Sequence, residues 1–124
     1  ANGEAVDLRT VPDHGTPSDL VYLSDFPDLV AWYELTNPER PIGVRVEWDR
    51  ETLPYLWYWQ EFGGTVGYPW YGEVYTIGLE PNSSYPTRGL AAAVENGSAM
   101  TIGPRASAGF EMRVATFADD GEDR

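Results

Sequence analysis

The chain has 124 residues, with 20 acidic side chains against 8 basic ones, a single histidine and no cysteine, which is the size of one small domain or of a piece of a larger one. All eight cations are arginine, so lysine Schiff-base chemistry, the lysine of a phosphate-binding P-loop and lysine-rich nucleic-acid patches are excluded. A net charge of -12 repels phosphate backbones and anionic lipid headgroups, so neither nucleic acid nor membrane is an expected partner.

The absence of cysteine removes disulfides and thiolate metal sites from consideration, and no cluster of metal-ligating residues stands out, so no metal and no cofactor are expected. The longest apolar runs, residues 29–33, 55–59 and 90–94, have five residues each, far below the roughly 18–20 needed to cross a bilayer. Ala1-Asn2-Gly3-Glu4 carries neither a basic region nor a following apolar segment, so no secretory signal is expected and the assigned location is cytoplasmic.

Thirteen glycines and ten prolines punctuate short alternating runs, which predicts an all-β chain. In chain order the expected strands are residues 5–9, 29–35, 42–49, 55–60, 73–80, 99–102 and 110–117. The clearest is 42–49, where Ile42, Val44, Val46 and Trp48 alternate with Gly43, Arg45, Glu47 and Asp49. In the last strand Phe110, Met112 and Val114 share a side, while Arg45 and Arg113 belong to outward, polar faces. Residues 90–95, stopped by Asn96-Gly97, predict one helical turn on a connection. Seven short strands predict an antiparallel β-sandwich over residues 1–118, followed by a solvated acidic tail, residues 119–124.

Chemistry concentrates in residues 53–72, where eight aromatic side chains fall within 17 positions. On a strand, Tyr55, Trp57 and Trp59 face one side and Leu56, Tyr58 and Gln60 the other, so both faces carry aromatic surface and one of them is expected to meet a ligand. The axial C–H faces of sugar rings pack on indoles and phenols, while amides, carboxylates and guanidinium groups bind their hydroxyls. Trp57, Trp59, Gln60, Glu61, Tyr68 and Trp70 are the substrate-binding candidates on this ground. Glu80 follows at the end of a strand, before Pro81 breaks the ladder, with Val74, Thr76 and Gly78 as face-mates. A carboxylate on such a partly apolar surface gains basicity, which suits a general base.

Leu79-Glu80-Pro81 with Tyr85-Pro86, Val6-Asp7-Leu8-Arg9 upstream, and Ile102-Gly103-Pro104-Arg105 before the last strand occur in the order found in the C-terminal part of the aldose 1-epimerase (galactose mutarotase-like) family, which the sequence resembles. The resemblance implies a portion of that family's supersandwich fold, with Glu80 as catalytic base and Asp7 and Arg9 at the sugar hydroxyls. It implies an aldose as ligand and no cofactor. Epimerisation needs an acid as well as a base, because the anomeric hydroxyl loses a proton while the ring oxygen gains one. In the family that acid is a histidine ahead of the aspartate motif, whereas His14, the one histidine here, follows Asp7 in a turn-rich loop. Two expectations follow: an oligomer, in which a companion chain completes both sandwich and site or a homodimer covers the sheet edges, or a domain that binds sugar without turning it over.

Overall fold

The computed structural model describes residues 5–118, and within them the chain forms six strands and one short helix. The strands are β1 (Asp19–Leu23), β2 (Val30–Asn37), β3 (Arg40–Asp49), β4 (Tyr55–Phe62), β5 (Tyr75–Asn82) and β6 (Met112–Phe117); the helix, α1 (Leu90–Glu95), precedes β6. They build two antiparallel sheets, in the orders β1-β4-β5 and β2-β3-β6, so the chain is all-β as its alternating runs predict. The acidic tail, residues 119–124, lies outside the described residues.

Two compact units divide the fold. One comprises residues 5–21 and Tyr58–Leu79, the other Tyr22–Trp57 and residues 80–118.

In the second unit the β2–β3 hairpin turns through Pro38 and Glu39, with the Asn37 side chain accepting the Glu39 amide at 2.8 Å, a local bond that fixes the turn. The register sets Ala31, Tyr33 and Leu35 opposite Trp48, Val46 and Val44, and β6 continues the same face with Met112, Val114 and Thr116. The core sits on this face. Trp48 is 1% exposed, meets Phe26 edge-on at 5.3 Å and Tyr33 at 6.0 Å, and donates its indole N–H to the Leu53 carbonyl at 3.0 Å. The opposite face is polar, as predicted for Arg45 and Arg113. Arg45 bonds Glu34 and Glu47 at 2.8 Å each and lies 4.2 Å from the Trp32 ring centre, while Arg113 stands 3.9 Å from Glu47. The two carboxylate bonds, Glu34 first, raise the Arg45 pKa.

The first unit has a smaller core built on Tyr58 and Phe62. Phe62 packs against Tyr75 at 5.9 Å, and burial pushes the Tyr58 phenol up, with Tyr75 adding to the shift. The 11–18 segment is laid along the end of β4 by a bond from the Gly15 amide to the Phe62 carbonyl and by a parallel bridge between Thr16 and Gly63.

Two expected strands are absent. Residues 5–9 form no ladder because Arg9 turns back on Asp7, and its own amide bonds the Asp7 carboxylate at 3.0 Å. Residues 99–102 form none because the Ser98 and Ala99 amides both bond the Ala93 carbonyl and close the end of α1. β1 was not expected; Leu20 to Leu23 is an unbroken apolar run without alternation.

Candidate functional site

β4 shows the predicted division of its two faces. Leu56, Tyr58, Gln60 and Phe62 are buried, while Tyr55, Trp57 and Trp59 remain half-buried. Pleating alone accounts for this: alternate side chains of one strand enter the core and the others stand on the opposite surface.

In the first unit, Glu61 departs from the alternation. It is 2% exposed, and its carboxylate accepts the Ser18 hydroxyl at 2.5 Å, the Thr65 hydroxyl at 2.7 Å and the Thr65 amide at 3.3 Å. Burial alone would disfavour the charge, but these bonds, Ser18 foremost, hold its pKa below the ordinary carboxylate value. The geometry therefore gives Glu61 a bracing role between the 16–18 and 63–65 segments, in place of the hydroxyl-binding role expected for it. Gln60 is likewise buried, at 8% exposure, because it points into the core side of β4.

The aromatic candidates of this unit stand nearer solvent. Trp59 and Trp70 pair at 5.4 Å, and Tyr68, 84% exposed, meets Tyr71 edge-on at 6.1 Å. Asp7 and Arg9 form an exposed bidentate pair, with Nε 2.9 Å from Oδ1 and Nη2 2.6 Å from Oδ2. That pairing, through the Arg9 side chain first and its amide second, lowers the Asp7 pKa to about 2. His14 stands in its loop with Nε2 3.0 Å from the Gly72 carbonyl, which fixes Nε2 as the protonated nitrogen, and its ring leans on Tyr75 at 5.9 Å. Gly63, with φ of 81°, permits the close approach of that ring: a Cβ there would collide with the His14 imidazole.

The second unit contains a recess. Tyr22, Ser24, Asp25, Pro54, Tyr55 and Tyr85 line a cleft of about 360 Å³. Its walls are tyrosine rings in mutual contact, Tyr55 with Tyr85 at 4.8 Å and Tyr22 with Tyr85 at 5.7 Å. Trp57 buttresses Tyr22 edge-on at 5.8 Å, and its indole N–H donates to the Ser84 carbonyl at 2.8 Å. Trp57 thus meets the recess through Tyr22 and is absent from its lining.

Tyr85 is held by the turn that ends α1. The Ser98 hydroxyl accepts the Tyr85 amide at 3.2 Å and donates to the Tyr85 carbonyl at 2.7 Å, while the Asn96 side chain adds a second donor to that carbonyl at 2.9 Å. In the lining, Ser24 donates its hydroxyl to Asp25 Oδ2 at 2.9 Å, and Asp25 adopts φ of 61°, a left-handed conformation that aspartate and asparagine tolerate better than other side chains bearing a Cβ.

Glu80, in the same unit, is exposed near the end of β5 and is not among the residues lining the cleft. Of its expected face-mates, Thr76 is exposed, while Val74 and Gly78 are half-buried.

Sequence reasoning singled out Trp57 but passed over Tyr22, Ser24, Asp25, Tyr55 and Tyr85 as site residues. Tyr85 was visible as part of Tyr85-Pro86, and Tyr55 as part of the aromatic run. Ser24-Asp25 could have been found as the turn pair after the apolar run of β1.

A model of the family described as "Domain of unknown function (DUF4432)" matches residues 10–116 of the chain. No curated protein and no solved structure matches it. Among the described residues no helix is long and apolar enough to cross a membrane, and no group of three or more His, Cys, Asp or Glu side chains is placed to hold a metal ion.

Proposed function

We propose that this chain, which belongs to the DUF4432 family, is a carbohydrate-binding protein of the aldose 1-epimerase type, with an aldose as its ligand and Glu80 as the candidate general base. The observation that supports sugar binding is the tyrosine-walled cleft, whose lining also holds Ser24 and Asp25; Glu80 lies outside that lining and enters as the base through the Leu79-Glu80-Pro81 motif alone. Aromatic faces for C–H surfaces and a few fixed polar groups for hydroxyls are what a sugar site requires. The order of the Asp7, Glu80 and Gly103-Pro104 motifs along the chain agrees with it.

In the reaction proposed, the Glu80 carboxylate takes the proton of the anomeric hydroxyl as an acid protonates the ring oxygen. The C1–O5 bond breaks, the aldehyde rotates about C1–C2, and closure onto the other face returns both protons. Glu80 supplies the base half of that exchange. The His14 Nε2 proton is directed to the Gly72 carbonyl, so the described residues present no equally evident acid.

That observation favours a second reading, in which the chain binds the sugar without turning it over. Leu35, Met112 and Val114, all exposed on the apolar face of β2-β3-β6, support the further proposal of a second copy or a companion chain against this face. Sedimentation at high concentration tests it, and a strict monomer in purified and copurified material alike argues against it.

Polarimetry of freshly dissolved α-glucose and α-galactose separates the first two readings. Faster mutarotation with the wild-type protein, lost in Glu80→Gln, supports catalysis. Uncatalysed rates for both proteins with saturable quenching of tryptophan fluorescence support binding alone, and the absence of quenching as well as turnover defeats both.

A further inference from the structure

We infer that Asp25 makes the tyrosine cleft selective for neutral, unphosphorylated sugars. This rests on the reading that the chain binds an aldose, and names the class of aldose it takes. The cleft, at about 360 Å³, is near the lower end of the size range of small-molecule sites and suits one or two sugar rings. Its polar groups are unevenly assigned. The Tyr22 hydroxyl is engaged with the Thr87 hydroxyl and amide, both at 3.1 Å, whereas among the described residues the Tyr55 and Tyr85 hydroxyls enter no hydrogen bond.

Asp25 spends one oxygen on Ser24 and keeps Oδ1 as an acceptor. A carboxylate accepts hydrogen bonds and offers none, so its partner must be a donor, and sugar hydroxyls are donors. A phosphate ester or a uronate brings acceptors and negative charge to the same point and is repelled there. The chain's net charge of -12 opposes anions at long range, but only Asp25 places a carboxylate in the lining of this cleft.

The backbone makes the test clean. Asparagine tolerates the left-handed conformation of Asp25 and keeps its shape, so Asp25→Asn removes the charge and exchanges one acceptor oxygen for an N–H donor without disturbing the backbone. The wild-type protein, Asp25→Asn and Tyr55→Ala are titrated calorimetrically with galactose and galactose 6-phosphate, and with glucose and glucose 6-phosphate, each variant having first given a wild-type circular dichroism spectrum. The wild type is expected to prefer the neutral sugar by about tenfold or more, and Asp25→Asn to narrow that preference several-fold, chiefly by tightening the phosphate. Tyr55→Ala is expected to weaken both sugars together.

Equal affinity of the wild type for both sugars, or an unchanged preference in Asp25→Asn, overturns the selectivity and leaves aldose binding standing. Unchanged affinities in Tyr55→Ala overturn the assignment to this cleft. If the wild type binds none of the four, the aldose reading itself fails and takes this inference with it.

Discussion

Replacing Ser98 by alanine removes one hydroxyl that serves both backbone groups of Tyr85. The carbonyl keeps a donor in Asn96, but the amide loses its partner in a half-buried setting. A net bond is worth about 0.5–1.5 kcal/mol and an orphaned buried donor about 1–3 kcal/mol; with water able to reach a half-buried amide, the expected loss is about 1–2 kcal/mol. Spread over an unfolding entropy of roughly 0.26 kcal/mol/K for a chain of this length, that lowers Tm by about 4–8 °C.

The same change frees the Tyr85 ring at the wall of the cleft, and reordering one side chain on binding should weaken the sugar by about two- to tenfold. Calorimetric melting and sugar titration of Ser98→Ala check both numbers. Asn96→Asp, which loses the amide donor but retains the oxygen that accepts the Ser98 amide, should show a smaller version of each effect. An unchanged Tm refutes the clamp. A lowered Tm with unchanged affinity refutes the link between the clamp and the binding wall.

The braced carboxylate Glu61 should make stability depend on pH in one direction. Its folded pKa lies below the ordinary value of 4.5, so its contribution is complete above that pH and is lost as pH falls through the folded value. Urea unfolding of wild type and Glu61→Gln should therefore show a difference at neutral pH that closes in acid; a constant gap would contradict the assignment. Trp48→Phe should destabilise by about 2–4 kcal/mol, because it leaves a void and strips the buried Leu53 carbonyl of its donor. Urea midpoints measure it, and a loss below that range would mean the indole bond is replaced by water.

Much of the fold was legible because β3 carries a clear alternation and β4 a dense aromatic run between turn residues, and the short helix ends at Asn96-Gly97. The two false strands had suitable apolar letters, but nearby polar groups captured their backbone: Asp7 in one case, the end of α1 in the other. β1 was hidden by the opposite fault, an apolar run with no period to detect, and with it went Ser24 and Asp25 at its exit. The aromatic density around β4 pointed to the right strand. It could not separate Trp57, which buttresses, from Tyr55, which lines the cleft, because pleating assigns both to one face and only packing distinguishes them. Gln60 and Glu61 misled for a related reason: polar side chains beside a turn look solvated until the hydroxyls that enclose one of them are in place.

The Arg45 contacts bear on why an acidic chain would favour a flat cation. Two separate donors of one guanidinium, Nη1 and Nε, reach Glu34 across the hairpin and Glu47 along its own strand while the group rests near the Trp32 ring. An ammonium, compact and tightly hydrated, would have to choose among these neighbours. In concentrated brine, where counterions shield the exposed carboxylates from distant attraction, the stacking component acts at contact and fades least, so this hairpin should keep its pairing when purely coulombic tethers elsewhere have slackened.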